Sequence, residues 1–457
     1  MEIESGEYVN KLSNNPAQCR TGSLVTSLLA AAAFLGLPAC AQDATPTPAP
    51  PAVTNQPAAA LIPKLSYPFP DLRFGPFDIQ PRVTAGFTYD DNILLSSHNP
   101  ESDLIWSLRP AFLAVAGDRL AIEDYRRTYH DVVGFSPDTF IITPPENWPG
   151  QTLMVDYGPG FNWFAEHGRN DSVDEFLTVN ALWPMHKLIL GFRQDYTLQN
   201  TTVVEAGRRT LEQIIPTVLS AGYQFSDKTT AEINLTRTSV AYEARQNLAD
   251  FTDWNMENWL NYQYGARLNL GMGATLGKLV LPSQPGQVYE TPEIRARYRY
   301  GTRLLLDGSL GEQMRQYDGG VPGSATPVLN LTAHYIASEN TTLHLTGFRR
   351  EAPSGAFGYD YISTGLTLGL EHQFGDRYFA GLETTYYYSD YLETSPTLLS
   401  TRPIHEVDNF IEIRPSFEVR FSQHLAGTIY YLFRTVQSRQ WDGWADQQLG
   451  VRLTWTY

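Results

Sequence analysis

The chain of 457 residues carries 33 Lys and Arg against 49 Asp and Glu, a formal net charge of -16, while only 18% of it is charged and 26 residues are Tyr. So acidic a balance excludes a nucleic-acid partner, because a phosphate backbone is held by clustered Lys and Arg that are lacking here. The missing charge is replaced by Tyr and Gly, and a mean hydropathy of -0.28 marks a chain neither disordered nor overtly hydrophobic.

In chain order, a polar start leads into LVTSLLAAAAFLGLPACAQ, which has the apolar run and A-x-A site of a secretory signal. Residues 1–41 are therefore expected to be a signal peptide cut after Ala41. Leu37-Pro38-Ala39-Cys40 offers a lipoprotein signal as the alternative, which Pro38 fits poorly. Cleavage after Ala41 would remove Cys19 and Cys40, and with them disulfides, thiolate metal sites and cysteine nucleophiles. Residues 42–81 are rich in Pro and Ala and read as an extended periplasmic linker.

From residue 82 to 457 the texture becomes alternating segments of ten to sixteen residues joined by short and longer polar connections in turn. After the signal, no run reaches the roughly 18–20 apolar residues that a membrane-spanning helix needs. A barrel strand crosses with about 9–11 residues, only every second one apolar. In FIEIRPSFEVRFS, Ile411, Ile413, Pro415, Phe417, Val419 and Phe421 share one face. Glu412, Arg414, Ser416, Glu418 and Arg420 share the other. Charges of both signs on an inward face do not belong to a dry core, because a buried unpaired ion costs several kcal/mol; they fit a wet lumen.

Short turns are predicted near Pro184-Met185-His186, Ser226-Asp227-Lys228, Met272-Gly273, Gly301-Thr302, Ser338-Glu339-Asn340, Gly375-Asp376 and Ser422-Gln423. The expected fold is all-β: a transmembrane antiparallel β-barrel of about eighteen strands, with sixteen as the alternative because 275–281 is short and ambiguous. An insertion at about 118–150 falls where the pattern asks for a short turn, and reads as a periplasmic cap or added hairpin. The final segment, QLGVRLTWTY, alternates up to a terminal aromatic. Pairing of the last strand with the first, near 83–95, would leave no edge to protect. Gly450, Arg452, Thr454 and Thr456 then face inward.

The opening strand reads VTAGFTYDDNILLS, and the next contains Arg109-Pro110 and Gly117-Asp118-Arg119. Tyr89, Asp90, Asp91, Asn92 and Ile93, with those two short motifs, resemble the β-barrel porin family found in exopolysaccharide and capsule operons. The resemblance extends loosely over the barrel; the 118–150 insertion departs from it. It implies an outer-membrane pore serving polymer export. Tyr457 resembles the C-terminal aromatic signal that outer-membrane barrels present to their assembly machinery.

The most chemical stretch is EIRARYRYGTRLLLDG. Arg295, Arg297 and Arg299 alternate with Ala296, Tyr298 and Tyr300, so three guanidinium groups face one side, with Arg303 following across the turn. Such a ladder could hold carboxylates in bidentate geometry and favour anions. The blander reading is that it pairs with lumen acids such as Asp307, Glu412 or Glu418 and braces the wall. The candidate pore-lining set is Arg295, Arg297, Arg299, Arg303, Asp307, Glu412, Arg414, Glu418, Arg420 and Arg452.

Asp90 and Asp91 are adjacent, hence on opposite faces of a strand, and do not make a calcium site by themselves. No metal or cofactor is expected. Neither G-x-S-x-G nor H-E-x-x-H occurs, and the histidines are scattered, so no catalysis is expected. The expected function is an outer-membrane channel for polar solute or polysaccharide. Its rivals are a general or anion-preferring diffusion porin, and a closed structural or enzymatic barrel. The expected partners are outer-membrane lipid, the barrel-assembly machinery and anionic polysaccharide.

Overall fold

The computed structural model describes residues 72–117, 151–203, 208–243, 248, 250–282, 286–318, 323–353, 359–393, 407–438 and 443–457. The expected signal peptide, most of the linker and the 118–150 insertion lie outside the described residues. The strands are β1 (Arg73–Phe74), β2 (Phe77–Asp90), β3 (Asp103–Gly117), β4 (Thr152–Phe164), β5 (Ser172–Pro184), β6 (Leu188–Val203), β7 (Arg208–Gln224), β8 (Thr229–Tyr242), β9 (Phe251–Gln263) and β10 (Leu268–Val280). They continue as β11 (Gln287–Tyr300), β12 (Leu304–Tyr317), β13 (Ser324–Ser338), β14 (Thr341–Pro353), β15 (Tyr359–Phe374), β16 (Tyr378–Glu393), β17 (Val407–Arg420), β18 (Leu425–Ser438) and β19 (Trp444–Thr456).

From β2 onward each strand pairs antiparallel with the next, and β19 returns to β2 from Gln448↔Asp90 to Thr456↔Arg82. The result is a closed barrel of eighteen strands, with the two-residue β1 folded back on β2. Closure satisfies the backbone of the last strand, as its alternating sequence requires. The sixteen-strand alternative falls, because 275–280 belongs to one continuous β10, with Leu281 directly after it. Met272-Gly273 is likewise no turn: it lies inside β10, with Met272 facing outward, and the connection is at 264–267. The other predicted turns are found. Gly301 and Gly375 take φ of 61° and 64°, which suits a residue without Cβ in a tight connection.

Strand β2 begins at Phe77, ahead of the expected start at 82, and runs through Pro81. The Pro81 carbonyl accepts the Tyr457 N–H at 3.0 Å, at the very end of the β19 ladder. The missing proline N–H therefore costs no partner in the sheet.

Parity sorts the side chains as the alternation predicts. On the outer face Ile294, Leu306, Leu310, Met314, Leu331, Leu366, Phe417, Leu449 and Leu453 are exposed. Outward aromatics gather near both ends. Tyr223, Tyr262, Tyr300, Tyr378, Phe421, Trp455 and Tyr457 stand by the short turns, and Tyr89, Trp106, Trp163, Trp254 and Tyr386 near the other end. On β16 the ten steps from Tyr378 to Tyr388 span ~33 Å along the strand, or ~25 Å at a tilt of ~40°, the height of an outer-membrane barrel's apolar band. Leu310, midway along β12 and 53% exposed, should then be intolerant of charge. Leu310→Arg is expected to cost about 2–4 kcal/mol in urea unfolding from lipid vesicles. A cost near zero would mean that this face does not meet hydrocarbon.

Candidate functional site

The inner face is polar, and it gathers the predicted ladder. Arg295, Arg297 and Arg299 occupy successive inward positions of β11. Arg295 donates from Nε to Asn261 Oδ1 at 2.8 Å and from Nη2 to Glu232 Oε2 at 2.6 Å, and its guanidinium lies 4.3 Å from the Trp259 ring centre. Arg297 Nε donates to Asp307 Oδ2 at 2.7 Å, across the directly paired positions of β11 and β12. Asp307 is thus the expected partner. Glu412 and Glu418 are not: they belong to β17, where Arg414 joins Glu383 at 2.8 Å and Glu412 at 3.8 Å, and Arg420 joins Glu418 at 2.9 Å.

Arg420 also lies over Phe379 at 4.0 Å, and Arg452 over Tyr430 at 4.6 Å. Arg303 sits in the β11–β12 turn rather than on the wall, because the strand ends at Tyr300. Arg295 and Arg297 are therefore engaged with wall acids, the bracing arrangement. Half-exposed pairs such as Arg297–Asp307 contribute about 0–1 kcal/mol each, so they order the wall more than they stabilise it. The Glu232→Gln, Asp307→Asn double variant should remove two negative charges from the inner wall and shift the reversal potential in a salt gradient toward anions. An unchanged potential would place these groups away from the ion path.

The end opposite the short turns is partly covered. The Tyr89–Asn92 segment lies here: Tyr89 faces outward, while Asp90 and Asn92 are buried. Asn92 Nδ2 donates to the Ser96 and Ala445 carbonyls at 2.9 and 2.8 Å, and its Oδ1 accepts the Ser96 N–H at 2.8 Å. This clamp turns the β2–β3 connection inward. Leu95, 3% exposed and at φ 51°, packs on Phe410, Val436 and Trp444, inward residues of β17, β18 and β19. Phe410 in turn stacks on Tyr387 at 4.7 Å. Strands are ~4.8 Å apart, so this cluster runs ~14 Å round the wall from β2 to β17, and Leu95 joins it from the loop at the lumen mouth. The far end of the connection is pinned by Asp103, whose carboxylate accepts the Glu166 and His167 N–H groups and bonds His167 Nδ1 at 2.9 Å.

A second covering element is the β14–β15 hairpin. Asp360 Oδ1 accepts from Gln287 Nε2 at 3.2 Å, although β15 and β11 are four strands apart, ~19 Å round the wall. The hairpin must lean inward for that bond to form. Arg315 of β12 holds it: Nη1 donates to Gln287 Oε1 at 2.8 Å and Asp360 Oδ2 at 3.3 Å, and Nη2 donates to the Glu351 carbonyl at 3.1 Å. Glu351 accepts further bonds from Tyr317, Ser324 and Thr326. The Arg315, Glu351 and Asp360 side chains are 2%, 0% and 1% exposed. Leu248, in the β8–β9 connection, similarly caps the inward residues Ile214, Val240 and Tyr242.

Barrels of this kind have been solved before. OpdK of Pseudomonas aeruginosa, crystallised with vanillate, is similar at 12% identity over 83% of this chain and 99% of its own, with a TM-score of 0.43. OccAB4 of Acinetobacter baumannii gives 13%, 83%, 98% and 0.41, and OpdO of Pseudomonas aeruginosa 11%, 83%, 97% and 0.43. No protein-family model and no curated protein matches the chain. The similarity is one of fold alone.

Sequence reasoning did not name Glu232, Asn261, Glu383, Arg434, Asp446 or the Arg315 cluster. Parity alone places Asp446 in the lumen, two residues before Gln448 on the strand that was read, and Arg315 on the face of Asp307. Nothing in the alternation signals where Leu95 or Asp360 packs, because those contacts join strands that are not sequence neighbours.

Proposed function

We propose that this protein is an outer-membrane channel that passes polar solutes through a charged lumen. The observation carrying this reading is the closed eighteen-strand wall, apolar and aromatic-girdled outside and lined inside by ion pairs such as Arg295–Glu232 and Arg414–Glu383. The mechanism needs no catalysis. A wet lumen substitutes for the bilayer, and fixed charges on its wall set the preference among solutes. The surrounding lipid is the partner of the outer face, and Tyr457, 45% exposed on that face, is the residue offered to assembly machinery.

The inward Leu95 loop and the leaning β14–β15 hairpin favour a restricted mouth over a freely open one. That supports the narrower reading, a gated route for an anionic polysaccharide, which otherwise stands on the resemblance of the Tyr89–Asn92 motif to barrels of exopolysaccharide operons. Planar-bilayer conductance of the refolded protein tests both. Discrete current steps, partly blocked by acidic oligosaccharide on one side, are the expected result. Steady current without block would reduce the reading to a diffusion porin, and no current under any condition would leave a closed barrel.

A further inference from the structure

The β2–β19 seam brings together three carboxylates, of which the ion pairs of the wall reach only Asp446. Asp90 pairs with Gln448 in the ladder, so Asp446, two residues along β19, stands diagonally opposite Asp90 on the same inward face. Asp91 belongs by parity to the other face, but β2 ends at Asp90, and the bend carries Asp91 round to join them. One oxygen from each of the three carboxylates lies within 4.8 Å of the others. Asp90 and Asp446 are 2% and 0% exposed.

Asp90 accepts from the Asn92 N–H at 2.9 Å and Gln448 Nε2 at 3.0 Å, and Asp91 Oδ1 accepts from the Gln447 N–H at 2.7 Å. Asp446 Oδ2 accepts from Arg434 Nε and Gln448 Nε2. Asp446 Oδ1, wholly buried, meets no donor among the described residues. Among the described residues one guanidinium, that of Arg434, is ion-paired to the group, and it reaches Asp446 alone. Arg209 lies within electrostatic reach but is shared with Asp174. Like charges buried side by side without compensation cost several kcal/mol, and an orphaned buried carboxylate oxygen adds to that cost.

We propose that Asp90, Asp91 and Asp446 form a divalent-cation site of the hard, oxygen-ligated class, suited to Ca2+, at the root of the inward loop. Ca–O bonds of about 2.3–2.6 Å place opposite ligands about 4.6–5.2 Å apart, and the three oxygens fit inside that span. Arg434 occupies Asp446 Oδ2 and leaves Oδ1 for the ion. A cation there ties Asp91, where the loop begins, to β19, whose Trp444 receives Leu95.

The test is calorimetric titration of Ca2+ into the full protein, purified in detergent and stripped with EDTA, against an Asp446→Asn variant. Should that variant fail to fold, Asp91→Asn, at a more exposed position, replaces it. The expected result is one site per chain in the wild type, weakened at least tenfold by the substitution. No binding at millimolar Ca2+, or binding of equal affinity and stoichiometry in the variant, would overturn the proposal.

Discussion

Replacing Arg315 by Met is expected to lower barrel stability by about 3–5 kcal/mol, more than any other single inward substitution considered for the wall. The size follows from what remains. Glu351 and Asp360 are almost entirely buried, and loss of the guanidinium leaves both charges without their cation. Arg297→Met is the matched control. Its partner Asp307 keeps 41% of its side chain in solvent, so water compensates for the loss and the cost should stay under about 1 kcal/mol. Urea unfolding from vesicles, followed by heat-modifiable gel mobility, measures both. Equal midpoints for the two variants would mean that the Arg315 cluster is wetter than its geometry indicates.

Asn92→Ala should act on the mouth. It removes two donated bonds and one accepted bond, leaving the Ala445 and Ser96 carbonyls and the Ser96 N–H without their present partner. Each buried polar group left unsatisfied costs about 1–3 kcal/mol. The Leu95 backbone already sits in the left-handed region, which costs about 1–2 kcal/mol for a residue with a Cβ. The loop should therefore leave its seat while the barrel, built on its own ladders, stays folded. The expected result is a larger single-channel conductance together with a red-shifted Trp444 contribution to the emission. Unchanged conductance with a shifted emission would show that the loop moves without restricting the path.

Much of this was legible in the chain because a barrel strand has a period of two and every residue declares its face. Ile413 and Phe417 outward, Glu412 and Glu418 inward, the terminal alternation to Tyr457 and the closure onto the first strand were all readable from that rule. Met272-Gly273 misled because Gly residues inside β10 mimic a turn, although they are strand residues facing the lumen beside bulky Trp259 and Tyr289. The pairing of Arg295 with Glu232 was out of reach, since it depends on which strand lies three places away in the wall. The same holds for Leu95 and Asp360: parity tells in from out, and says nothing about segments that lean inward beyond the ladder. Asp91 shows the limit most plainly, because its opposite face holds only while the strand continues.

Odd positions of β11 face water while even positions face lipid. Single cysteines placed in turn at 294 to 299, in a chain lacking Cys19 and Cys40, can be tested in vesicles with a membrane-impermeant thiol reagent and with a lipid-borne quencher. Positions 295, 297 and 299 are expected to react with the reagent, and 294, 296 and 298 to be quenched from the lipid. A pattern without alternation, or with the two sets exchanged, would contradict it.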